Sequence, residues 1–245
     1  MLNKRFYRLV NTLLNNSFVL VDKLFPNAPK VFMFHNLTMD NGSCSDLYTV
    51  TVSNFENFII NQIQKSNIAI NLGKIKDEEE LNKSTFAITF DDVYENVFHY
   101  AYPILKKHKI PFAIFVSVSL LNKEGYLSTK QLELLSKDNM CTIGSHGIDH
   151  IFYRDLNTDE LNIQFNGSKA TLMKLTGKEI FAFAFPYGSF YACSIKSIAK
   201  LTKTEYKLGF STIPVSLKTK FITGKYFLPR INVTNKYIVS KLSNE

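Results

Sequence analysis

The strongest constraint on the fold is an alternation that runs almost the length of the 245-residue chain. Short apolar runs of strand length are separated by longer stretches with helical spacing. Val31-Phe32-Met33-Phe34, Ile68-Ala69-Ile70, Phe86 to Phe90, Phe112 to Val118, Met140 to Ile143, Ile180 to Phe185, Leu208 to Thr212 and Leu228 to Val233 read as strands. Val52 to Lys65, the stretch after Asp92, Ser128 to Ser136, Leu156 to Leu175 and Ile195 to Leu201 read as helices, with Gly177 closing the fourth and Pro103 marking a kink in the second. Strands alternating with helices predict parallel βα units. About seven such units in one domain give an α/β fold, a distorted (β/α) barrel in preference to a flat doubly wound sheet.

Residues 1–27 stand apart. Lys4, Arg5 and Arg8 precede Leu9, Leu13, Leu14, Phe18 and Leu20. The apolar run is too short for a secretory leader, and no stretch has the roughly 20 apolar residues of a membrane span. The segment is expected to be an amphipathic helix that packs on residues 28–245 or rests on a membrane surface, which makes the protein cytoplasmic or membrane-peripheral. Asp77 to Glu80 reads as a solvated helix start.

Composition excludes some chemistry. Cys44, Cys141 and Cys193 are too few and too scattered for a disulfide framework or a thiolate metal site, and are read as reduced thiols. The formal charge of +8 comes from dispersed lysines with no basic-aromatic platform, so nucleic acid is not an expected partner.

Reactive groups of a βα barrel gather where strands end. Here four strand ends carry such groups: His35; Asp91 and Asp92; Ser145, His146 and His150; and Pro186-Tyr187-Gly188. Adjacent carboxylates can divide the work, one binding a cation and one acting as base, although acidic residues also suit a helix N-terminus. His146 and His150, four apart in a short loop, can present imidazole nitrogens to one ion, or lie idle on the surface. Two histidines with a strand-end carboxylate form a catalytic type of metal set with open positions. The Pro-Tyr-Gly turn can expose a backbone N–H to a developing oxyanion. His99 and His108 read as structural, and Tyr94 as helix packing or a sugar-stacking ring.

The ordered set Thr89-Phe90-Asp91-Asp92, His146-x-x-x-His150 and Phe183-Ala184-Phe185-Pro186-Tyr187-Gly188 resembles the polysaccharide deacetylases of carbohydrate esterase family four, the NodB-type homology domain. Ile143-Gly144-Ser145-His146, Leu175-Thr176-Gly177 and Leu228-Pro229-Arg230-Ile231 also fit, most closely the branch acting on surface or biofilm polysaccharides. The resemblance implies a hydrolase that removes N-acetyl groups from an amino-sugar glycan. Asp91 would be the base. Asp92, His146 and His150 would hold a divalent ion, zinc by expectation, and Tyr187 would supply the oxyanion N–H, with Pro186 and Gly188 shaping the substrate turn. The chain departs from the family at three points. Ala184 replaces the usual Arg, for which Arg230 is the candidate substitute; Gly147 replaces Ser or Thr; and no Leu-x-His motif follows, leaving His35 as candidate proton donor. Two rivals share the fold: cleavage of another amide or an O-acetyl ester, and a degenerate carbohydrate-binding domain.

Overall fold

A computed structural model describes residues 4–25, 27–39, 48–77, 84–219 and 223–242, with no side-chain description for 4–11, 21, 219 and 242. The N-terminal half runs α1 (Lys4–Asp22), β1 (Lys30–Phe34), β2 (Asn36–Thr38), β3 (Thr49–Thr51), α2 (Val52–Gln64), β4 (Ile68–Ala69), α3 (Leu72–Lys76), β5 (Thr85–Asp91), α4 (Tyr102–Lys107) and β6 (Phe112–Val116). There follow α5 (Thr129–Lys137), β7 (Cys141–Ser145), α6 (Thr158–Asn162), α7 (Ser168–Thr176), β8 (Ala182–Ala184), α8 (Ile195–Leu201), β9 (Leu208–Phe210), β10 (Ile231–Asn232) and α9 (Asn235–Leu242).

The main sheet is parallel throughout, in the order β10-β1-β5-β6-β7-β8-β9, with β4 added to β5. A lone bridge between Phe210 and Leu228 joins β9 to the approach to β10, so the seven-strand run curls into an incomplete barrel. This is the expected architecture.

Alternation along each strand divides the core. Phe32, Phe34, Phe86, Ile88 and Phe90 face outward into the helices, where Phe34 meets Phe55 edge-to-face at 5.0 Å. Val31, Ala87, Ala113, Phe115, Ala182, Ala184, Phe210 and Leu228 face the barrel interior. Four of these are alanines, and Phe115 and Phe210 lie 5.4 Å apart among them. The same parity delivers Asp91, His146 and Arg230 to the interior rim at the strands' C-terminal ends.

Several boundaries differ from the sequence reading. The predicted helix from Leu156 to Leu175 is α6 and α7 joined by a π turn at Ile163–Gly167, and Gly177 does cap it in the left-handed conformation. A second π turn at Val97–Ala101 runs without a break into α4, whose second residue is Pro103. Asp77 ends α3 instead of starting a helix; residues 78–80 and Cys44 lie outside the described residues. The pair β2–β3 was not predicted, and the strands expected at Leu208 to Thr212 and Leu228 to Val233 are shorter. Cys193 is buried and Cys141 half-buried, both as free thiols.

The first helix packs on the barrel through Phe18, stacked on Phe190 at 6.1 Å, and through Asp22, which accepts hydrogen bonds from the Ser216 backbone and hydroxyl. Leu13, Leu20 and Leu24 remain exposed. Among the described residues no helix is long and apolar enough to cross a membrane.

Candidate metal centre

Asp91 ends β5 and Asp92 begins the loop after it, so the two carboxylates diverge. Asp91 is fully enclosed, and Arg230 grips it with two hydrogen bonds of 2.6 Å, Nη1 to Oδ1 and Nη2 to Oδ2. The guanidinium is itself held: Nε donates to the Ser211 carbonyl at 3.0 Å, Nη1 approaches the Thr89 hydroxyl at 3.3 Å, and the Phe115 ring lies 5.2 Å away. Arg230, which the sequence reading offers in place of the family Arg, thus contacts Asp91 from just before β10.

Asp92, His146 and His150 bring one carboxylate oxygen and two ring nitrogens within 4.8 Å of one another. Nε2 of His146 stands 3.4 Å, and Nε2 of His150 3.0 Å, from Oδ1 of Asp92. That oxygen is nevertheless buried without a well-formed hydrogen bond. For His146 the arrangement is explicit. Its Nδ1 lies 2.8 Å from the Ala184 carbonyl, which can only accept, so the proton sits on Nδ1 and Nε2 turns a lone pair toward Asp92. A lone pair and a carboxylate oxygen facing each other form a donor set that a cation would satisfy. The separations suit one, since ligand atoms on a tetrahedral zinc stand roughly 3.3 Å apart. The donor set fits a divalent ion of the zinc type.

Electrostatics agree with the division of labour. Burial alone would raise Asp91, but Arg230 and His146 outweigh it and hold the carboxyl below its usual range. Asp92 is likewise held well below that range by His150 and His146 against the effect of burial. Burial lowers His146 despite both aspartates, which favours its neutral form. His150 moves the other way: burial is outweighed by its contact with Asp92.

The backbone here is strained. Asp92, His150 and Tyr187 all have positive φ (61°, 50° and 60°), and so does the β-branched Val93 (62°). Such conformations cost on the order of 1–3 kcal/mol each and persist where the surroundings over-determine them. Gln164, in the π turn, is one such determinant. Its Oε1 accepts from the backbone of Ile148 at 2.8 Å and Asp149 at 3.3 Å, while Nε2 donates to the Asp149 carboxylate at 2.7 Å. Gln164 clamps the loop between the two histidines, a role the sequence reading missed. The available signal was a Gln on the apolar face shared with Leu161 and Phe165.

Gly147 also has a physical reason. It has φ of +80°, and a Cβ there would collide with the Tyr153 hydroxyl. The Pro186-Tyr187-Gly188 turn is tied to the segment after β9 by Thr212, whose N–H bonds the Gly188 carbonyl at 2.8 Å and whose hydroxyl bonds the Tyr187 carbonyl at 3.0 Å. Tyr187 is half exposed with its ring 4.7 Å from His150, and Phe152 packs edge-on against it at 4.4 Å. His35 follows β1, half-buried; its Nδ1 is enclosed without a partner, and it responds to the charges of Asp91, Asp92, Arg230 and His150. Tyr94 stacks on Tyr126 at 4.8 Å, His108 pairs with Glu56 at 3.2 Å, and His99 lies 3.4 Å from Gln131, so these three serve packing and surface contacts.

Together, fold and site define an incomplete parallel βα barrel with an open His₂-Asp constellation beside an arginine-clamped carboxylate. The polysaccharide deacetylase family profile matches residues 78–206, just over half of the sequence, and the chain belongs to that family. It is 27% identical over 179 residues to the poly-beta-1,6-N-acetyl-D-glucosamine N-deacetylase of Staphylococcus aureus, covering 65% of this chain and 58% of that protein. The chain spans little more than half the length of the curated relatives it matches. The fold is shared with the Streptococcus pyogenes deacetylase PplD in complex with acetate (TM-score 0.75, 20% identity, 87% of this chain and 97% of that one). It is shared also with IcaB from Ammonifex degensii (TM-score 0.73, 21% identity, 89% and 96%).

Proposed function

We propose that the chain is a metal-dependent hydrolase that removes N-acetyl groups from an amino-sugar polysaccharide, of the kind named for its staphylococcal relative. The observation that carries this reading is the contrast between two neighbouring carboxylates. Asp91 is clamped by Arg230 and stands 3.9 Å from His146 Nε2 at its nearest, while Asp92 offers an oxygen to both histidines.

Asp92, His146 and His150 would hold the ion, zinc by preference. When bound it supplies a Lewis acid for the acetamide carbonyl and lowers the pKa of water. Asp91, kept ionised and fixed in orientation by Arg230, takes the proton of the attacking water. The Tyr187 N–H, which donates to no described residue, steadies the oxyanion. His35 delivers a proton to the departing amine. The exposed rings of Tyr187 and Phe152 offer a surface for the sugar. Ala184 and the missing C-terminal His motivated the degenerate alternative. The guanidinium supplied by Arg230 supports the catalytic one.

Acetate release from N-acetylglucosamine oligomers, compared between wild type and Asp91→Asn, tests the reading. Asp91→Asn should retain the metal and lose roughly 10²–10⁴ in rate. Equal rates in the two proteins would overturn the role of Asp91, and O-acetyl esters cleaved in place of amides would overturn the substrate class.

A further inference from the structure

Five buried side-chain atoms among the described residues have no hydrogen-bond partner, and three belong to strand ends at the barrel rim: Asp92 Oδ1, His35 Nδ1 and Asn232 Oδ1. The first is accounted for by a cation and the second by a role in proton delivery. Nothing so far uses Asn232.

Its position follows from strand parity. Leu228 lies in the interior cluster, Arg230 two residues later reaches Asp91, and Asn232 two further on continues the same side toward the C-terminal rim. Ile231, between them, belongs to the outer cluster. Asn232 stands in register with Met33 of β1, the strand that runs directly into His35. A buried amide oxygen left unpaired costs about 1–3 kcal/mol, so a rim position that retains one is built for a donor arriving from outside.

We infer that Asn232 is a substrate-binding residue: its side-chain carbonyl accepts a hydrogen bond from an N–H or O–H of the bound amino sugar, on the β10–β1 side of the rim. This rests on the deacetylase reading and adds the residue that fixes the sugar beside His35. A hydrogen bond formed equally in the bound substrate and the transition state appears in KM and not in kcat.

The test uses the zinc-loaded full chain with N-acetylglucosamine oligomers and the near-isosteric Asn232→Leu, with Asn232→Ala as a second variant in case Leu is not accommodated. KM should rise roughly ten-fold, the size of one lost hydrogen bond, with kcat within about three-fold and zinc content unchanged. The melting temperature should stay level or rise, since an unpaired polar atom has been removed. An unchanged KM overturns the inference. A fall in kcat and melting temperature together overturns it too, by making Asn232 a structural residue. If wild type releases no acetate at all, the deacetylase reading itself fails and takes this one with it.

Discussion

Arg230 and Asp91, 139 positions apart in sequence, share two 2.6 Å hydrogen bonds inside the barrel, with both side chains almost completely enclosed. Removing one partner of such a pair strands a buried charge. Arg230→Met is therefore expected to destabilise the protein by about 3–5 kcal/mol, measured by urea unfolding, and to suppress acetate release. A loss below about 1 kcal/mol would show that Asp91 does not depend on this guanidinium.

Gln164 touches none of the proposed metal ligands, yet it holds the backbone between them. Outer contacts of this kind typically carry 10–100-fold in metal affinity. Gln164→Leu should weaken zinc binding by roughly that factor in a competition titration while the fold survives. Unaltered affinity would mean that strain at His150 is maintained elsewhere.

His35→Ala removes the proposed proton donor without touching the ion's ligands. At unchanged zinc content, kcat should fall by roughly 10²–10⁴. A neutral result removes His35 from the mechanism and leaves its unpaired Nδ1 as packing.

Acid should destabilise the metal-free protein in two stages. Burial lowers His146 and His35 despite the nearby aspartates, so their contribution is full above about pH 6.5, the ordinary histidine value, and is lost as pH falls toward their folded values. His150, raised by Asp92 against burial, contributes fully below that value and fades as pH rises through its folded one. Two against one predicts a melting temperature that falls from pH 7 to pH 5. Below about pH 4, Asp91 and Asp92, both held low, must protonate and the fall steepens. Calorimetry in chelator across this range checks it; a melting temperature that rises on acidification contradicts it.

What was legible in the sequence was periodic or local. Runs such as Phe86 to Phe90 specify buried parallel strands, and groups placed just past strand ends specify a rim, so the barrel and the cluster of Asp92, His146 and His150 could be read directly. Arg230 could be proposed because the family resemblance implies an arginine on Asp91 and Ala184 stands at its usual place. The two π turns were not legible, since each inserts one residue into an otherwise helical spacing. Gln164 was missed because its partners are backbone groups, which leave no mark on composition. The absence of Ser or Thr at position 147 looked like a departure, but it reflects space already taken by the Tyr153 hydroxyl. The pair β2–β3 was hidden by brevity, at three residues each.

The central claim is that an ion held by Asp92, His146 and His150 makes this chain a deacetylase. Acetate released from N-acetylglucosamine oligomers should be followed in the protein as purified, after exhaustive chelation, and after zinc is returned. The account predicts release that is abolished by chelation and restored by zinc in wild type, but not restored in Asp92→Ala. Release that persists through chelation, or zinc rescue of Asp92→Ala to the wild-type rate, would contradict it.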